Sequence, residues 1–166
     1  MGDFQIDKVV KMRILIIDSD VRLTDAINRE IEEAQYELRY EADSETGLQV
    51  ALKKRFDLII LDWSLPKKPG LSILTNLRKR KNRTPVLMLV AENSVRDVVL
   101  SLDSGANTCM PRPFIIPVLI ARMKAVIRRY KWDRSTEIYR YHNKIYKFVA
   151  GSAAIGSQHS DTTALG

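Results

Sequence analysis

The feature that most constrains this chain is an apolar run with an abrupt acidic stop. Ile14-Leu15-Ile16-Ile17 ends at Asp18-Ser19-Asp20, and Leu58-Ile59-Ile60-Leu61 ends at Asp62. A third run, Pro85-Val86-Leu87-Met88-Leu89-Val90, ends at Ala91-Glu92. A strand covered on one face alternates apolar and polar residues. A strand that is apolar at every position is buried on both faces, which requires layers of helix above and below the sheet.

The intervening stretches supply those layers. Leu23, Ala26, Ile27, Ile31 and Ala34 fall on one helical face, with Ser19 or Asp20 able to cap its start. Residues 36–40 read as a shorter, more polar strand at a sheet edge. Asp43-Ser44 caps a helix to about residue 54. A third helix spans about 71–81, a fourth runs from Asn93 or Ser94 to about Ser104 with Gly105 just past its end, and a short strand covers 107–110. A fifth helix runs over about 116–130, with Leu119, Ile120, Met123, Val126 and Ile127 inward and Pro117 in its first turn. Five strands alternating with five helices predict an α/β fold with a parallel sheet covered on both faces. Such sheets work at the carboxyl ends of their strands. Those ends carry Asp18, Ser19, Asp20, Asp62, Val90 and Arg112, so carboxylates and one guanidinium are expected to share a cleft.

Composition excludes several classes. One cysteine in 166 residues builds neither a disulfide framework nor a thiolate zinc site. No apolar stretch approaches the ~20 residues of a membrane-spanning helix, and residues 1–12 lack a signal-peptide core, so a cytoplasmic protein without a membrane partner is expected. The net charge of +7 resides wholly in residues 122–147, which hold nine Lys/Arg against two acids. The rest is balanced, unlike a domain built around nucleic acid. No Gly-rich phosphate loop follows Ile17, which argues against a nucleotide or flavin site. Residues 1–11 read as an N-terminal extension, and 131–166 as a basic, then polar tail expected to be largely disordered.

Residues 12–130 resemble the receiver domain of bacterial two-component response regulators. The resemblance rests on ILIIDSD (14–20), DLIILDWSLPKKPG (57–70), PVLMLVA (85–91) and DSGANTCMPRPF (103–114), and on the D-x3-P-x3-G spacing of Asp62, Pro66 and Gly70. It implies a flavodoxin-like fold with strand order 2-1-3-4-5. It also implies Asp62 as phosphoacceptor, an acidic pocket at Asp18, Ser19 and Asp20, and Mg²⁺ held by Asp18, Asp62 and the carbonyl of Ser64. The implied partner is a histidine kinase. No residue is expected to turn over a metabolite, so the chain is not read as an enzyme. ARMKAVIRRY (121–130) is similar to receivers that carry a winged-helix output. Only 36 residues follow Tyr130, whereas such an output needs on the order of 100. DNA binding from this chain is therefore not expected. In that subfamily the fourth-helix/fifth-helix face forms a homodimer, where Asp103 and Arg122 match charged positions and Asn107 and Thr108 replace acids.

Four positions depart from the family pattern. Ser19 stands where a second acid usually ligates the metal, so Mg²⁺ is expected to bind weakly. Val90 replaces a Thr or Ser that donates to the phosphoryl group. Arg112 replaces a lysine, keeping the charge but not the shape. Cys109 replaces an aromatic switch residue. These losses lead to the expectation of a pseudo-receiver, a phosphorylation-independent interaction or dimerisation module. The alternative is a conventional Mg²⁺-dependent receiver phosphorylated on Asp62.

Overall fold

The computed structural model describes residues 11–143, with the side chains of 132–143 excepted. Residues 1–10 of the N-terminal extension and residues 144–166 lie outside the described residues. The chain divides into two units, Met1–Ile127 and Arg128–Gly166.

In the first unit the strands are β1 (Met12–Ile17), β2 (Tyr36–Glu41), β3 (Leu58–Asp62), β4 (Val86–Val90) and β5 (Thr108–Pro111). They pair in parallel in the order β2-β1-β3-β4-β5. The helices between them are α1 (Val21–Glu30), α2 (Ser44–Lys53), α3 (Gly70–Lys79) and α4 (Val95–Asp103), followed by α5 (Ile116–Asn143).

The uninterrupted apolar runs are explained by two cores. Ile14, Ile16, Leu58, Ile60, Leu87 and Leu89 point to one face, where Leu23 and Ile27 of α1 and Leu119, Ile120, Met123 and Ile127 of α5 cover them. Leu15, Ile17, Ile59, Leu61, Met88 and Val90 point to the other, under Ala51 of α2 and Ile73, Leu74 and Leu77 of α3. Period-2 geometry sends alternate residues to opposite layers, so every position must be apolar. β2, with Glu37 and Arg39 exposed, is the edge strand the sequence predicts.

Two helix ends differ from expectation. α1 stops at Glu30; Ile31 is its cap and stays buried, while Ala34 is exposed in the following turn. Glu30, Glu32 and Glu33 crowd the negative end of the dipole, which opposes a further turn. α5 does not end near Tyr130 but continues to Asn143, into the segment expected to be disordered. No Gly or Pro occurs between Pro117 and Gly151, so nothing in the local chemistry stops it. Among the described residues no helix is long and apolar enough to cross a membrane.

Candidate functional site

Register places the strand ends on one rim. Ile17 pairs with Leu61, Asp62 with Leu89, and Val90 with Pro111. The residues that follow or end these strands, Asp18, Asp62 and Arg112, therefore converge although they lie far apart in sequence. Asp18 is 1% exposed and Asp62 6%.

The guanidinium of Arg112 bridges them unequally. Its Nη2 donates to Asp18 Oδ2 at 2.9 Å and lies 3.7 Å from Asp62 Oδ1. Arg112 is thus hydrogen-bonded to Asp18 and forms a longer ion pair with Asp62. Asp18 Oδ1 takes the Asp20 N–H at 2.9 Å, so both of its oxygens are engaged. Asp62 Oδ1 takes the Ser64 N–H at 3.2 Å. Asp62 Oδ2 receives no hydrogen bond from the described residues. Burial pushes the Asp62 carboxyl above its ordinary value; Asp18 adds to this, while the Ser64 N–H and Arg112 pull the other way. The Arg112 backbone N–H is fixed on the Val90 carbonyl at 2.9 Å, and its side chain stacks over Phe114 with 5.5 Å to the ring centroid. The Arg112–Pro113 peptide is cis.

Gly70 shapes the floor. A Cβ there would sit 2.1 Å from the Asp62 carbonyl oxygen. Only a glycine lets α3 start this close to the end of β3, with the Gly70 N–H on the Trp63 carbonyl at 2.8 Å.

Asp20 does not join the acidic pocket. Its carboxylate caps α1 through the Arg22 N–H and grips the Arg22 guanidinium, which holds it down at about 2. Only its backbone N–H reaches Asp18. Ser19 is exposed in the bend beside them, and Ser64 is exposed in the loop after Asp62. Val90 is buried with its side chain in the second core, where a hydroxyl would find no apolar gain. Cys109 is half-buried rather than enclosed; its thiol faces the Val98 carbonyl at 3.8 Å, and burial pushes its pKa up, so thiolate chemistry is disfavoured. Asp103 and Arg122 are both exposed.

Two features escape the sequence reading. Val95, Val99 and Leu102 expose an apolar stripe along α4, with Ile115 and Val118 exposed at the start of α5. Their i, i+4, i+7 spacing was the available signal. Arg78 fastens the far side of the sheet, donating to the carbonyls of Gly105, Asn82 and Thr84.

The rim oxygens that could hold a cation are the carboxylates of Asp18 and Asp62, with the carbonyl of Ser64 as the backbone candidate the resemblance implies. These are hard oxygens that suit Mg²⁺, supplemented by water. Among the described residues no cluster of three or more His, Cys, Asp or Glu forms a richer site.

Comparison with known proteins agrees with this geometry. A family profile described as response regulator receiver domain matches residues 14–124. The chain is 41% identical over 125 residues to the transcriptional regulatory protein HprR of Escherichia coli, covering 75% of this chain and 56% of HprR. It is 33% identical over 126 residues to the response regulator MprA of Mycobacterium leprae, covering 76% and 55%. The chain thus spans about half the length of these relatives. Among solved structures, the Francisella response regulator 1452 receiver domain matches with a TM-score of 0.67 at 29% identity, covering 72% of this chain and 99% of that one. A CheY-like receiver domain protein from Methanospirillum hungatei matches with a TM-score of 0.69 at 25% identity, covering 75% and 99%. A rim of two buried acids and one guanidinium, on a 2-1-3-4-5 sheet, in a chain matched across its first unit, leads to one assignment: the chain belongs to the response regulator receiver family of two-component signalling.

Proposed function

We propose that Asp62 accepts a phosphoryl group from a histidine kinase in a Mg²⁺-dependent reaction, and that the phosphorylated state controls a transcriptional output. The observation that carries this reading is the free Oδ2 of Asp62. It is a carboxylate oxygen that receives no hydrogen bond from the described residues, on a group whose raised pKa makes its anion more nucleophilic. Asp62 Oδ2 attacks phosphorus as the phosphorus–nitrogen bond of the donor breaks, and the imidazole leaves with the electron pair. Asp18, Asp62 and the Ser64 carbonyl would hold Mg²⁺, which neutralises charge on the phosphoryl oxygens. Arg112 supplies a second positive charge beside the same oxygens, and Val90 supplies no hydroxyl. Relatives named as response regulators and transcriptional regulatory proteins support this conventional reading over a phosphorylation-independent one.

The homodimer reading joins the same proposal. The exposed Val95, Val99 and Leu102 give the fourth-helix/fifth-helix face an apolar stripe, with Asp103 and Arg122 as its charged positions. Cross-subunit pairs between exposed charges contribute only about 0–1 kcal/mol each, so apolar burial would carry such a dimer.

One specific contact favours the phosphorylation-independent reading, namely the standing Arg112–Asp18 pair. The experiment that separates the two is incubation with acetyl phosphate and Mg²⁺ followed by intact-mass measurement. Wild type should gain one phosphoryl mass and Asp62→Ala none. Folded wild-type protein that gains nothing would favour the phosphorylation-independent reading.

A further inference from the structure

The overall balance of charge outside residues 122–147 hides a strongly basic pole. The end of α2 and its following turn carry Lys53, Lys54 and Arg55; the end of α3 and its following turn carry Lys79, Arg80, Lys81 and Arg83. All seven are exposed. α2 and α3 cover the same face of the sheet, and Asn82 joins the two turns, its Nδ2 donating to the Ala51 carbonyl at 3.4 Å. The turns lead into β3 and β4, whose other ends form the rim, so the patch lies at the end of the sheet away from Asp62.

None of the seven cations forms an ion pair with a described carboxylate. Asp57, the acid between Arg55 and β3, is half-buried and takes the Arg13 N–H at 2.7 Å. Glu30, Glu32 and Glu33 stand at the end of α1, which covers the opposite face. Helix dipoles account for only part of the charge. Lys53 and Lys79 sit in last turns, where a cation is favoured, but Arg55, Lys81 and Arg83 lie past the caps, where the dipole has faded. Lys81 is the sharpest case. The Asn82 N–H on the Leu77 carbonyl and the Lys81 N–H on the Arg78 carbonyl close α3 as a Schellman turn, and Lys81 holds its left-handed position at φ 60°. Glycine takes that conformation at least cost. The turn thus presents a cation where its backbone favours no side chain at all.

We propose that this pole docks on the phosphate backbone of double-stranded DNA without reading its sequence. DNA carries one charge per about 1.7 Å of axis, and each phosphate met by a Lys or Arg releases counterions. A lipid surface fits less well: the exposed large apolar residues among the described ones are Val21 and those of α4 and the start of α5, so none stands at this pole to insert. The choice of DNA among polyanions rests on the transcriptional output proposed above; the docking itself uses neither Asp62 nor Mg²⁺.

The test titrates the full, unphosphorylated chain into a fluorescent duplex, read by anisotropy at several salt concentrations without Mg²⁺. A Kd of about 1–100 µM is expected at physiological salt, with log affinity falling linearly in log salt. Lys54→Gln/Arg55→Gln/Lys81→Gln should flatten that slope by about 2–3, since each lost phosphate contact removes about 0.9. Lys124→Gln/Arg128→Gln/Arg129→Gln changes net charge equally and should flatten it by less than about 1. Lys81→Gly suits the left-handed turn, so its Tm should hold or rise while the slope flattens by about 1. Absence of binding, an unchanged slope in the first variant, or equal flattening by the α5 control overturns the proposal. Tighter binding to phosphatidylglycerol vesicles than to the duplex also overturns it, in favour of a lipid surface. So does salt-sensitive self-association without DNA that the first variant abolishes, which would assign the pole to a second copy of the chain. Phosphorylation of Asp62 is read separately by intact mass, so the two proposals fail separately.

Discussion

Replacing Arg112 by glutamine should tighten Mg²⁺ binding. In the resting cleft Asp18 Oδ2 is held by Arg112 at 2.9 Å, and Asp18 is one of the two carboxylates proposed above to hold the ion. Binding must therefore break or share this bond. A hydrogen bond to a charged group contributes about 1.5–3 kcal/mol. Arg112 is 41% exposed, so solvent screening reduces this to about 1–2 kcal/mol. That corresponds to a factor of about 5–30 in affinity. Loss of a positive charge next to a dication acts in the same direction. Calorimetric Mg²⁺ titration at fixed ionic strength reads the effect, with Arg83→Gln, an exposed cation in the loop before β4, as the control for net charge. If Arg112→Gln binds Mg²⁺ no more tightly than the control, the guanidinium does not restrain Asp18 and the reasoning fails.

Asp62→Asn should raise stability at neutral pH. Burial raises the Asp62 carboxyl in the fold, so ionisation favours the unfolded chain; that penalty is absent below the unfolded pKa of about 3.9, grows as pH rises through the folded value, and is constant above it. Thermal melts should show the variant ahead of wild type at pH 7 and level with it near pH 3; a gap of equal size at both would refute the assignment. Gly70→Ala forces a methyl to within 2.1 Å of the Asp62 carbonyl oxygen, costing about 1–3 kcal/mol. It should lower both Tm and the yield of phosphoprotein from acetyl phosphate, and an unchanged Tm would show that α3 can shift freely. Arg78→Ala removes donors to three backbone carbonyls, for about 2–3 kcal/mol. Its Tm should fall while Mg²⁺ affinity stays at the wild-type level; a change in affinity would mean that the α3 end and the rim are coupled.

The fold was legible because its signal is local and repetitive. Each apolar run announces a doubly covered strand, and Asp43, Ser94 and Gly105 mark helix ends through chemistry confined to one turn. Convergence of residues 18, 62 and 112 followed from parallel topology alone. What escaped depends on choices between near neighbours. Whether Arg112 bonds Asp18 or Asp62 is a matter of less than 1 Å, settled across 94 residues of chain. Asp20 could have faced the pocket, and only Arg22, two residues on, decides that it faces the helix cap. The end of α5 was illegible because no residue there forbids continuation.

The two buried acids also fix the frame in which the strands meet. Ile14–Ile17 and Leu58–Leu61 are so uniform that shifting either by one position along its neighbour would exchange one branched aliphatic side chain for another at nearly every rung. Apolar packing alone discriminates poorly between such alignments. A shift that drew Asp18 or Asp62 inward would trap a carboxylate between helical layers, at a cost of several kcal/mol. The groups that give the rim its chemistry thus also act as stops that keep the sheet from assembling out of step.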